Sequence, residues 1–449
     1  MIKSKIIATY GPSLAEEAIL KEVIKRADVI RINFAHTSAE DAKVIADKIK
    51  NLASMLGKEI GILGDLPGPK IRLGNIENIL VKKGDLIKFT GPEGPSDAIE
   101  IEYNNLAKDI KAGTVFSIGE GALKFKVKHV NRSIIVCKAL SDGYLSSHKG
   151  VNFYNTEISE SPPTKEDISF ANFAVKSGFD FVAESFVKSP EDIEALRSNV
   201  GNFPIIAKIE RKKAVKAIRN IAASADAVMV ARGDLAFEVS IESIPIVQRK
   251  IIEAARQEGK PVIVATQALA SMVDNEVPTR AEVNDIAAAI TEGADAILLS
   301  DETAIGKYPI KALETLRKSI SFAERLGSYE AKAQIKSAMD YVAYAAADIA
   351  NRYKLDCIFA PTKTGNTARR LSMLRPNTKI FALSKDEKVL RKLSIYKGIN
   401  TLLLDQYMPE EKLFVYINKI AQKIKAKKYI VVYGSTKAGS TDTLKYVEL

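Results

Sequence analysis

The chain has 449 residues, of which 46% are hydrophobic and 27% charged, and its formal net charge at pH 7 is +11. This length predicts two or three domains, and the composition excludes a mainly disordered chain. The basic residues are spread along predicted helices with little aromatic interleaving, and the chain has no tryptophan, which argues against a nucleic-acid-binding groove with stacked bases.

Cysteine usage and hydropathy indicate the compartment. Cys137 and Cys357 are far apart and form no CxxC motif, and His36, His129 and His148 form no metal-ligand cluster. No apolar run reaches the roughly 18 residues of a membrane span, and the N-terminal sequence MIKSKIIATYGPS lacks the apolar core of a secretion signal. We therefore expect a cytoplasmic protein without disulfides and without a membrane segment.

Short apolar runs alternate with helix-length segments as far as residue 300. The runs read as buried parallel strands, because such strands are covered on both faces and lack polar alternation. The predicted strands are Lys5–Tyr10, Asp28–Phe34, Ile60–Asp65, Phe179–Ser185, Pro204–Glu210, Ala227–Arg232, Pro261–Gln267 and Ala294–Ser300. About eight βα units predict a (β/α)8 TIM barrel of the α/β class, and an open doubly wound sheet is the alternative.

A long insertion separates the third predicted strand from the fourth. Residues 73–147 contain short alternating runs broken by Gly, Asn, Pro and Asp, which is typical of an antiparallel β domain. The prediction is a barrel of residues 1–72 and 148–333, with an inserted, β-barrel-like lid domain of residues 73–147. A lid at this place can exclude water from the catalytic face.

The alternation of strands and helices starts again after the barrel, so residues 334–449 predict a small doubly wound α/β domain. Its predicted strands are Cys357–Pro361, Lys379–Ala382, Thr401–Leu404 and Tyr429–Tyr433, and its predicted helices are Ala338–Tyr353, Ala368–Leu374, Glu387–Tyr396 and Pro409–Lys425.

The fifth and sixth predicted strands end in charged residues. The fifth leads into Lys208 and Glu210, and the sixth into Arg232 and Asp234. Because carboxyl ends of neighbouring parallel strands share one edge, we expect both carboxylates to lie close together there. Two carboxylates beside a lysine suit Mg²⁺ with an anionic substrate, and a structural ion-pair network is the alternative.

Most other predicted strands also end in polar side chains. The segments are T9-Y-G-P12, R31-I-N-F-A-H36, D65-L-P-G-P-K-I-R72, E184-S-F186, A265-T-Q267 and L299-S-D-E-T303. Helix caps and turns would account for Asp234, Thr266 and Thr303. They do not account for Lys208, Arg31 and Arg72, because long cations serve no such cap.

These motifs, in this order, resemble the pyruvate kinase family over essentially the whole chain. The matching segments are KIIATYGPS, RINFAH, DLPGPKIR, IIAKIE, VMVARGDL, GKPVIVATQALASM, PTRAEVNDIA and LSDETAIGKYP. The resemblance implies transfer of the phosphoryl group of phosphoenolpyruvate to ADP, giving pyruvate and ATP in glycolysis. It also implies that Glu210 and Asp234 bind Mg²⁺ or Mn²⁺.

The resemblance assigns further roles residue by residue. Lys208 and Arg31 match the cations on the phosphoryl group in flight, and Thr266 matches the threonine at the methylene end of the substrate. Gly233 and Asp234 precede a helical segment, so their amides could bind the substrate carboxylate. On the nucleotide side, ADP and its second metal ion are expected near Asn33, His36 and Arg72.

The segment that binds K⁺ in most members of the family departs from the family pattern. Asn33 and Asp65 remain, but Ala35 and Leu66 replace a Ser and a Thr, and Lys70 replaces a Glu. The ammonium of Lys70 would then take the place of the monovalent cation, which predicts activity that does not require K⁺. The alternative is that Lys70 only faces solvent.

In the last domain, Thr362, Thr364, Gly365, Asn366 and Thr367 belong to the segment TKTGNTAR, which resembles the family's effector phosphate loop. The segment GSTKAGST, residues 434–441, resembles the loop that closes over it. Gly and hydroxyl residues at a helix start suit a phosphorylated effector, although the loop could equally be an ordinary helix cap. The family's usual assembly predicts a homotetramer.

Two other functions stay open for the sequence alone. A metal-dependent phosphoenolpyruvate or pyruvate lyase on the same barrel would also place Glu210 and Asp234 on Mg²⁺. A catalytically silent, metabolite-sensing relative would keep the fold without turnover, although every matched catalytic position is chemically intact.

Overall fold

A computed structural model of the chain describes residues 2–119, 121, 123–154, 156, 158–327, 335–435 and 439–449. Eight parallel strands form a closed barrel, in which each strand pairs with its neighbours and the first pairs with the eighth. The predicted TIM barrel is therefore confirmed, and the open sheet is excluded. The eight strands are Lys5–Thr9, Val29–Asn33, Gly61–Asp65, Phe181–Glu184, Ile205–Ile209, Ala227–Ala231, Val262–Ala265 and Ala296–Leu299.

The barrel strands are apolar along their whole length because both of their faces are covered. Side chains such as Ile7, Leu63 and Met229 belong to one buried cluster, whereas Ile6, Ile62 and Val228 pack in another with the surrounding helices. The α-helices of the barrel are Glu17–Arg26, Ala39–Met55, Lys165–Lys176, Pro190–Val200, Lys212–Ser224, Arg232–Glu238, Ile244–Gln257, Arg280–Glu292, Asp301–Ala304 and Pro309–Ala323. Short 3-10 helices are Pro12–Leu14, Ile241–Ser243, Ala270–Val273 and Glu324–Leu326.

The inserted domain is an antiparallel β structure with its own aromatic core, in which Phe89, Phe116 and Phe125 pack together. Its strands are Ile79–Val81, Leu86–Thr90, Ile99–Glu100, Val115–Ile118, Leu123–Asn131, Ile134–Ala139, Gly143–Leu145 and Val151–Phe153, with one short helix, Leu106–Asp109. The last strand pairs with Val115–Ile118, so the sheet of the lid continues past the boundary at residue 147 that the sequence predicts.

The last domain has a five-stranded sheet. Its strands are Cys357–Pro361, Lys379–Ser384, Ile399–Leu403, Lys428–Tyr433 and Thr443–Glu448, and its helices are Ala338–Arg352, Asn366–Met373, Glu387–Lys392 and Glu410–Lys423. The first four strands are parallel, and the fifth is an antiparallel edge strand that the sequence analysis did not predict. Its alternating polar sequence, TLKYVE, lacks the continuous apolar run that identified the other strands.

None of the helices in the described part of the chain combines the length and the apolar character that a membrane crossing needs. The three domains meet so that the lid leaves and re-enters the barrel beside the carboxyl ends of its strands. The loop after the third strand continues into an isolated bridge between Arg72 and Gly150 at the base of the lid.

Candidate active site

A lysine at the centre of the barrel edge joins three strand ends. The Nζ atom of Lys208 lies 3.1 Å from Oδ1 of Asp65 and 3.0 Å from Oε1 of Glu210, and it donates to the hydroxyl of Ser185 at 2.7 Å. Arg31 approaches Asp65 from the other side, with its Nε 2.7 Å from Oδ2, and also donates to Thr9 Oγ1 at 3.1 Å. The structure therefore brings together both cations that the sequence predicts to hold the phosphoryl group.

The charges in this cluster stabilise one another. Burial by itself would raise the pKa of Asp65, but the adjacent Lys208 and Arg31 outweigh burial and hold this pKa below its ordinary value. Burial would lower the pKa of Lys208, but Asp65 and Glu210 raise it above the ordinary value for a lysine. Lys208 is therefore a permanent cation although only 12% of its side chain is exposed.

Glu210 is oriented by the loop after the fourth strand. The backbone N–H of Phe186 donates to Oε2 of Glu210 at 2.6 Å, and Phe186 has a left-handed φ of 58°. The neighbouring Ser185 donates its hydroxyl to the carbonyl of Leu66 at 2.7 Å, which fixes the side chain that Lys208 contacts. Phe186, in a strained backbone conformation, thus donates its N–H to the buried carboxylate of Glu210. The surrounding hydrogen bonds hold Phe186 in this conformation.

Glu210 and Asp234 line one cavity at the foot of the lid. Oε1 of Glu210 is buried and forms an ion pair with the amine of Lys208 at 3.0 Å. A carboxylate oxygen has two lone pairs, so this contact leaves one for a metal ion. Burial raises the pKa of Glu210, and the carboxylate of Asp234 adds to this effect against the opposing charge of Lys208. Two carboxylates that line one cavity supply hard oxygen donors, which fit a divalent ion that takes its remaining ligands from substrate and water.

In the described residues, no group of three or more His, Cys, Asp or Glu side chains forms a metal site. A site of two carboxylates would therefore depend on the substrate to complete the coordination shell. This agrees with the preference of Mg²⁺ for one or two carboxylates together with substrate phosphate and water.

The segment around Gly233 differs in detail from the sequence prediction. Gly233 and Asp234 do not precede a helix but lie in the first turn of the short helix Arg232–Glu238. The N–H of Gly233 donates to Oγ1 of Thr266 at 2.8 Å. The structure thus places Gly233 and Thr266 in direct contact.

Thr266 is held in an unfavourable backbone conformation. Its φ is 67°, which is uncommon for a β-branched residue. Nη2 of Arg232 donates to the Thr266 carbonyl at 2.7 Å, and Nη1 of the same guanidinium donates to Asp285 at 2.5 Å. Arg232 therefore holds the peptide of Thr266 in its strained conformation. The sequence analysis did not assign this role to Arg232.

Of the residues predicted to contact ADP, Arg72 lies at the base of the lid, whereas Asn33 ends the second barrel strand and His36 follows it. Oδ1 of Asn33 accepts from the N–H of Ala35 at 3.1 Å, and Nη1 of Arg72 donates to the His148 carbonyl at 3.1 Å. Burial lowers the pKa of His36, and the cations Arg72, Lys70 and Arg31 lower it further. His36 is therefore neutral at pH 7 in a region of positive potential.

Lys70 does not pair with Asp65, which is occupied by Arg31 and Lys208. No carboxylate of the described residues lies within 4 Å of the Lys70 amine, and Lys70 lines the cavity that contains Glu210 and Asp234. Its positive charge thus stays at the catalytic edge without a fixed partner there.

The predicted effector loop begins the helix Asn366–Met373. Gly365 has a φ of 84°, and its N–H donates to Oγ1 of Thr362 at 2.9 Å, while the Asn366 N–H lies 3.4 Å from Oγ1 of Thr364. Thr362 and Thr367 line a cavity of about 390 Å³, and Oγ1 of Thr367 lies 2.9 Å from that of Thr441. Residues 436–438 of the predicted closing loop lie outside the described residues.

The sequence analysis gave no role to Ser185, Phe186 or Arg211. Arg211 is 8% exposed, and its Cζ lies 5.1 Å from the centroid of the Phe186 ring. Ser185 and Phe186 directly follow a predicted strand, so their position indicated that they lie at the catalytic edge. Their chemistry did not, because a hydroxyl and a phenyl ring are common at any strand end. Their importance depends on contacts with Lys208 and Glu210 that only the folded chain creates.

Comparisons with known proteins agree on one family. Residues 1–313 match the model of the pyruvate kinase barrel domain, and residues 340–447 match the model of the pyruvate kinase alpha/beta domain. A pyruvate kinase of Corynebacterium efficiens is 37% identical over 89% of this chain and 87% of its own, and one of Thermococcus litoralis is 34% identical over 92% and 91%. A crystal structure of a pyruvate kinase from Cryptosporidium parvum is similar with a TM-score of 0.92 at 29% identity, covering 100% of this chain and 96% of that one.

Proposed function

We propose, from the premise that this chain belongs to the pyruvate kinase family, that the cluster around Lys208 carries out the family's reaction. In that reaction the phosphoryl group of phosphoenolpyruvate passes to ADP, giving pyruvate and ATP. The family uses a divalent metal, and we assign this ion to Glu210 and Asp234, as Mg²⁺ or Mn²⁺. Bound there, it would neutralise charge on the carboxylate and phosphate of the substrate.

The observation that carries this proposal is the convergence of Lys208 and Arg31 on one buried carboxylate, Asp65. Phosphoryl transfer requires mainly positioning and charge compensation, because charge is spread over three phosphoryl oxygens in the transition state. Asp65 fixes the two cations before the substrate arrives, so they need little reorganisation during the transfer. We assign both to the transferring phosphoryl group.

The second half of the reaction is protonation of the enolate of pyruvate. We place Thr266 at the methylene end of the substrate, where its hydroxyl and an ordered water would pass a proton to carbon. The contact between the Gly233 N–H and Thr266 Oγ1 supports this placement, because it links this hydroxyl to the segment that we assign to the substrate carboxylate.

On the nucleotide side we assign ADP to Asn33, His36 and Arg72. The reason is electrostatic, because ADP is an anion and three cations lie close to His36. Arg72, Lys70 and Arg31 each lower the pKa of His36 through their positive charge. We further propose that Lys70 supplies the charge for which related enzymes use K⁺. Its amine has no carboxylate partner within 4 Å among the described residues, and it borders the cavity of Glu210 and Asp234.

We also propose that this enzyme acts in the cytoplasm as a homotetramer and that a phosphorylated effector binds at the loop of Thr362 and Thr367. Two features support the effector site and the assembly. Thr362 and Thr367 line a cavity of a size suited to a small ligand. The apolar side chains Phe322 and Leu326 are exposed on one face of the barrel, which suits contact with a second copy.

The decisive experiment is the Lys208→Met variant, assayed for ATP formation from phosphoenolpyruvate and ADP. We expect kcat to fall by about 10²- to 10³-fold or more, because a charge that compensates the transferring phosphoryl group is lost. Lys260→Met is the matched control, since Lys260 is also a partly buried lysine but donates to the carbonyl of Ala225 away from the catalytic edge. Retention of activity by Lys208→Met within about tenfold of the original would contradict the proposal.

A further inference from the structure

A cavity of about 500 Å³ lies between the amino-terminal edge of the barrel and the last domain. Four lysines line it, of which Lys3 and Lys5 begin the first barrel strand and Lys354 and Lys379 belong to the last domain. It is separate from the catalytic edge, because the first strand carries Lys5 at one end and Thr9 at the other. It is also separate from the loop of Thr362 and Thr367, which lines a different cavity.

Most of the positive charge in this cavity has no fixed counter-charge. Lys5 lies 3.4 Å from Asp28 and donates to the carbonyl of Ile399 at 2.6 Å. For Lys3, Lys354 and Lys379, the described part of the chain provides no carboxylate oxygen within 4 Å of the amine. The one acidic residue in the lining, Asp356, accepts from the N–H groups of Lys427 and Lys428 at 2.7 and 2.9 Å.

A second cavity of about 100 Å³ adjoins the first and shares Lys3, Asn377 and Thr378 with it. Two further cations line this second cavity, Arg375, which is partly buried, and Lys397, which is buried. Nη1 of Arg375 is buried and has no hydrogen-bond partner among the described residues, although Nη2 donates to Asp295 at 2.7 Å. Lys397 is 7% exposed, and its hydrogen bond from Nζ goes to the carbonyl of Ala294 at 3.4 Å.

The carboxylate in the lining of the second cavity, Glu324, is shared among several groups. It accepts from the N–H of Lys3 at 3.0 Å and from the N–H and hydroxyl of Ser4 at 2.6 and 2.8 Å. Its negative charge, with that of Asp295, also opposes the lowering of the pKa of Lys397, so it offsets part of the positive charge. A buried donor without an acceptor is costly, so Nη1 of Arg375 indicates an absent acceptor at this cavity.

We propose that the two adjoining cavities form a binding site for a phosphate monoester, with the phosphate at Lys3, Arg375 and Lys397 and the organic part in the larger cavity. A dianionic phosphate supplies several acceptors, one for the unpartnered Nη1 of Arg375 and others for the amines of Lys3 and Lys397, which donate to the carbonyls of Pro376 and Ala294 at 3.3 and 3.4 Å. The larger cavity is too large for inorganic phosphate alone and has the size of a small-molecule site. Its amide side chains, Asn351, Asn377 and Asn400, suit the hydroxyl groups of a phosphorylated metabolite.

Such a ligand would connect the barrel to the last domain, because its contacts come from both. Lys3 lies just before the first barrel strand, whereas Arg375, Lys379 and Lys397 belong to the last domain. Binding would therefore stabilise the docking of the two domains. This site is independent of the effector loop and of the catalytic residues.

The test is calorimetric titration of the full-length protein with glycerol 3-phosphate in EDTA, with glycerol as the phosphate-free comparison. We expect saturable binding of glycerol 3-phosphate and none of glycerol. The double variant Lys354→Ala/Lys379→Ala should weaken binding at least about tenfold, because two charges that face the ligand are lost. The control Lys363→Ala lies at the effector loop and should leave this affinity unchanged.

Unchanged affinity in the double variant, or loss of all binding in Lys363→Ala alone, would overturn the proposal, because the ester would then not occupy the larger cavity. An absence of saturable binding to the original protein would also overturn it. None of these outcomes depends on turnover, so they are distinguishable from a failure of the proposed catalytic function.

A second measurement concerns the proton of Lys397. The pKa of Lys397 is lowered to about 7, mainly by burial and then by the charge of Arg375, with Asp295 and Glu324 opposing this and Arg256 adding to it. A phosphate dianion beside Lys397 would raise this pKa again. At about pH 8 we therefore expect proton uptake on binding, seen as a dependence of the binding enthalpy on the ionisation enthalpy of the buffer.

The variant Lys397→Met should remove this proton uptake. Met keeps the volume of the side chain in its buried place and removes a charge that is costly to bury, so we expect the variant to fold. Proton uptake that persists in Lys397→Met would show that the phosphate does not contact this lysine.

Discussion

Lys208 illustrates how a buried cation can be kept ready for chemistry. Its contacts with the carboxylates of Asp65 and Glu210 raise its pKa, and the contact with Ser185 helps to fix its position. These contacts offset the free energy that burying the charge costs. Arg31 uses the second oxygen of Asp65 in the same way. The single carboxylate of Asp65 therefore organises two cations, which places it among the residues that most affect the site.

Lys70 gives a prediction at the level of one side chain. If its ammonium replaces a monovalent cation, the original enzyme should turn over equally well in tetramethylammonium buffer with and without KCl. Lys70→Glu should lose most of this activity without K⁺ and recover it when KCl is added, because a carboxylate restores the need for a bound cation. Steady-state assays across KCl concentrations measure this.

The matched control is Lys149→Glu, which makes the same charge change at another exposed lysine near the base of the lid. It should not create a dependence on K⁺. Strong activation of the original enzyme by K⁺ would contradict the assigned role of Lys70.

Glu184 gives a second prediction, on stability. Its side chain is fully buried, neither oxygen has a hydrogen-bond partner among the described residues, and Asp167 and Asp192 lie nearby. Its pKa is raised from 4.5 to about 9, mainly by burial and in addition by the charges of Asp192 and Asp167. Between pH 4.5 and about 9 the folded state holds a proton on Glu184 that the unfolded state releases. The free energy of unfolding therefore falls as the pH rises through this range, and Glu184 causes no further fall above about pH 9.

Glu184→Gln should therefore raise the free energy of unfolding at neutral pH. The gain should vanish below about pH 4, where both states are protonated, and its upper bound near pH 7.5 is about 4 kcal/mol, since each pKa unit corresponds to about 1.4 kcal/mol. Urea unfolding at several pH values measures it. Glu194→Gln, at an exposed position of the next helix, should show no such pH dependence. A gain that is independent of pH would contradict the buried, protonated state of Glu184.

At the scale of elements, two consecutive helices begin with the same capping box but differ in one contact. Thr164 and Asp167 cap the helix Lys165–Lys176, and Ser189 and Asp192 cap the helix Pro190–Val200. Asp167 additionally accepts from the N–H of Gly68 at 2.9 Å, and Gly68 lies in the loop that leads to the lid. Asp167 therefore fastens the base of the lid to a barrel helix.

Asp167→Ala and Asp192→Ala form a natural pair of experiments. Both should lower the free energy of unfolding, by about 2–4 kcal/mol, because buried N–H groups lose their acceptor. Only Asp167→Ala should also raise the KM for phosphoenolpyruvate, since only it releases the loop that carries Lys70 and Arg72. Equal kinetic effects in the two variants would show that Asp167 acts through the helix alone.

Elements were predictable to different degrees. The eight barrel strands were found because a strand that is buried on both faces has a continuous apolar sequence. Their predicted bounds differ from the observed ones mainly at the carboxyl ends, where polar residues follow the last paired residue of the strand. The edge strand Thr443–Glu448 was missed because it is exposed on one side and alternates. The lid strand Val151–Phe153 was missed because its three residues carry too little pattern and its paired residues lie 33 to 37 positions earlier in the chain.

At the scale of the whole molecule, one apolar face of the barrel indicates assembly. Phe322 and Leu326 are 66% and 78% exposed, and with Val283 they line a groove of about 390 Å³ on the helices Arg280–Glu292 and Pro309–Ala323. Exposed apolar groups that cluster in this way are typical of protein contacts. We expect a second copy of the chain to cover this face.

Phe322→Asp should therefore reduce the molecular mass measured by light scattering after size-exclusion chromatography. A buried carboxylate at a subunit contact is costly, so the proposed tetramer should dissociate into smaller species. Met55→Asp is the control, because Met55 is 77% exposed on a different helix and should leave the mass unchanged. An unchanged mass in Phe322→Asp would place the contact elsewhere.

The sequence alone determined the order of the βα units, the place of the insertion and the charged residues at the strand ends. It could do so because burial on both faces and the termination of a strand are local properties of the chain. Only the tertiary structure decided that Asp65 holds both Lys208 and Arg31, that Arg232 fixes Thr266, and that Lys70 stays unpaired. These contacts join residues 34 to 143 positions apart, and their distances follow from the closure and stagger of the barrel, which no local pattern encodes.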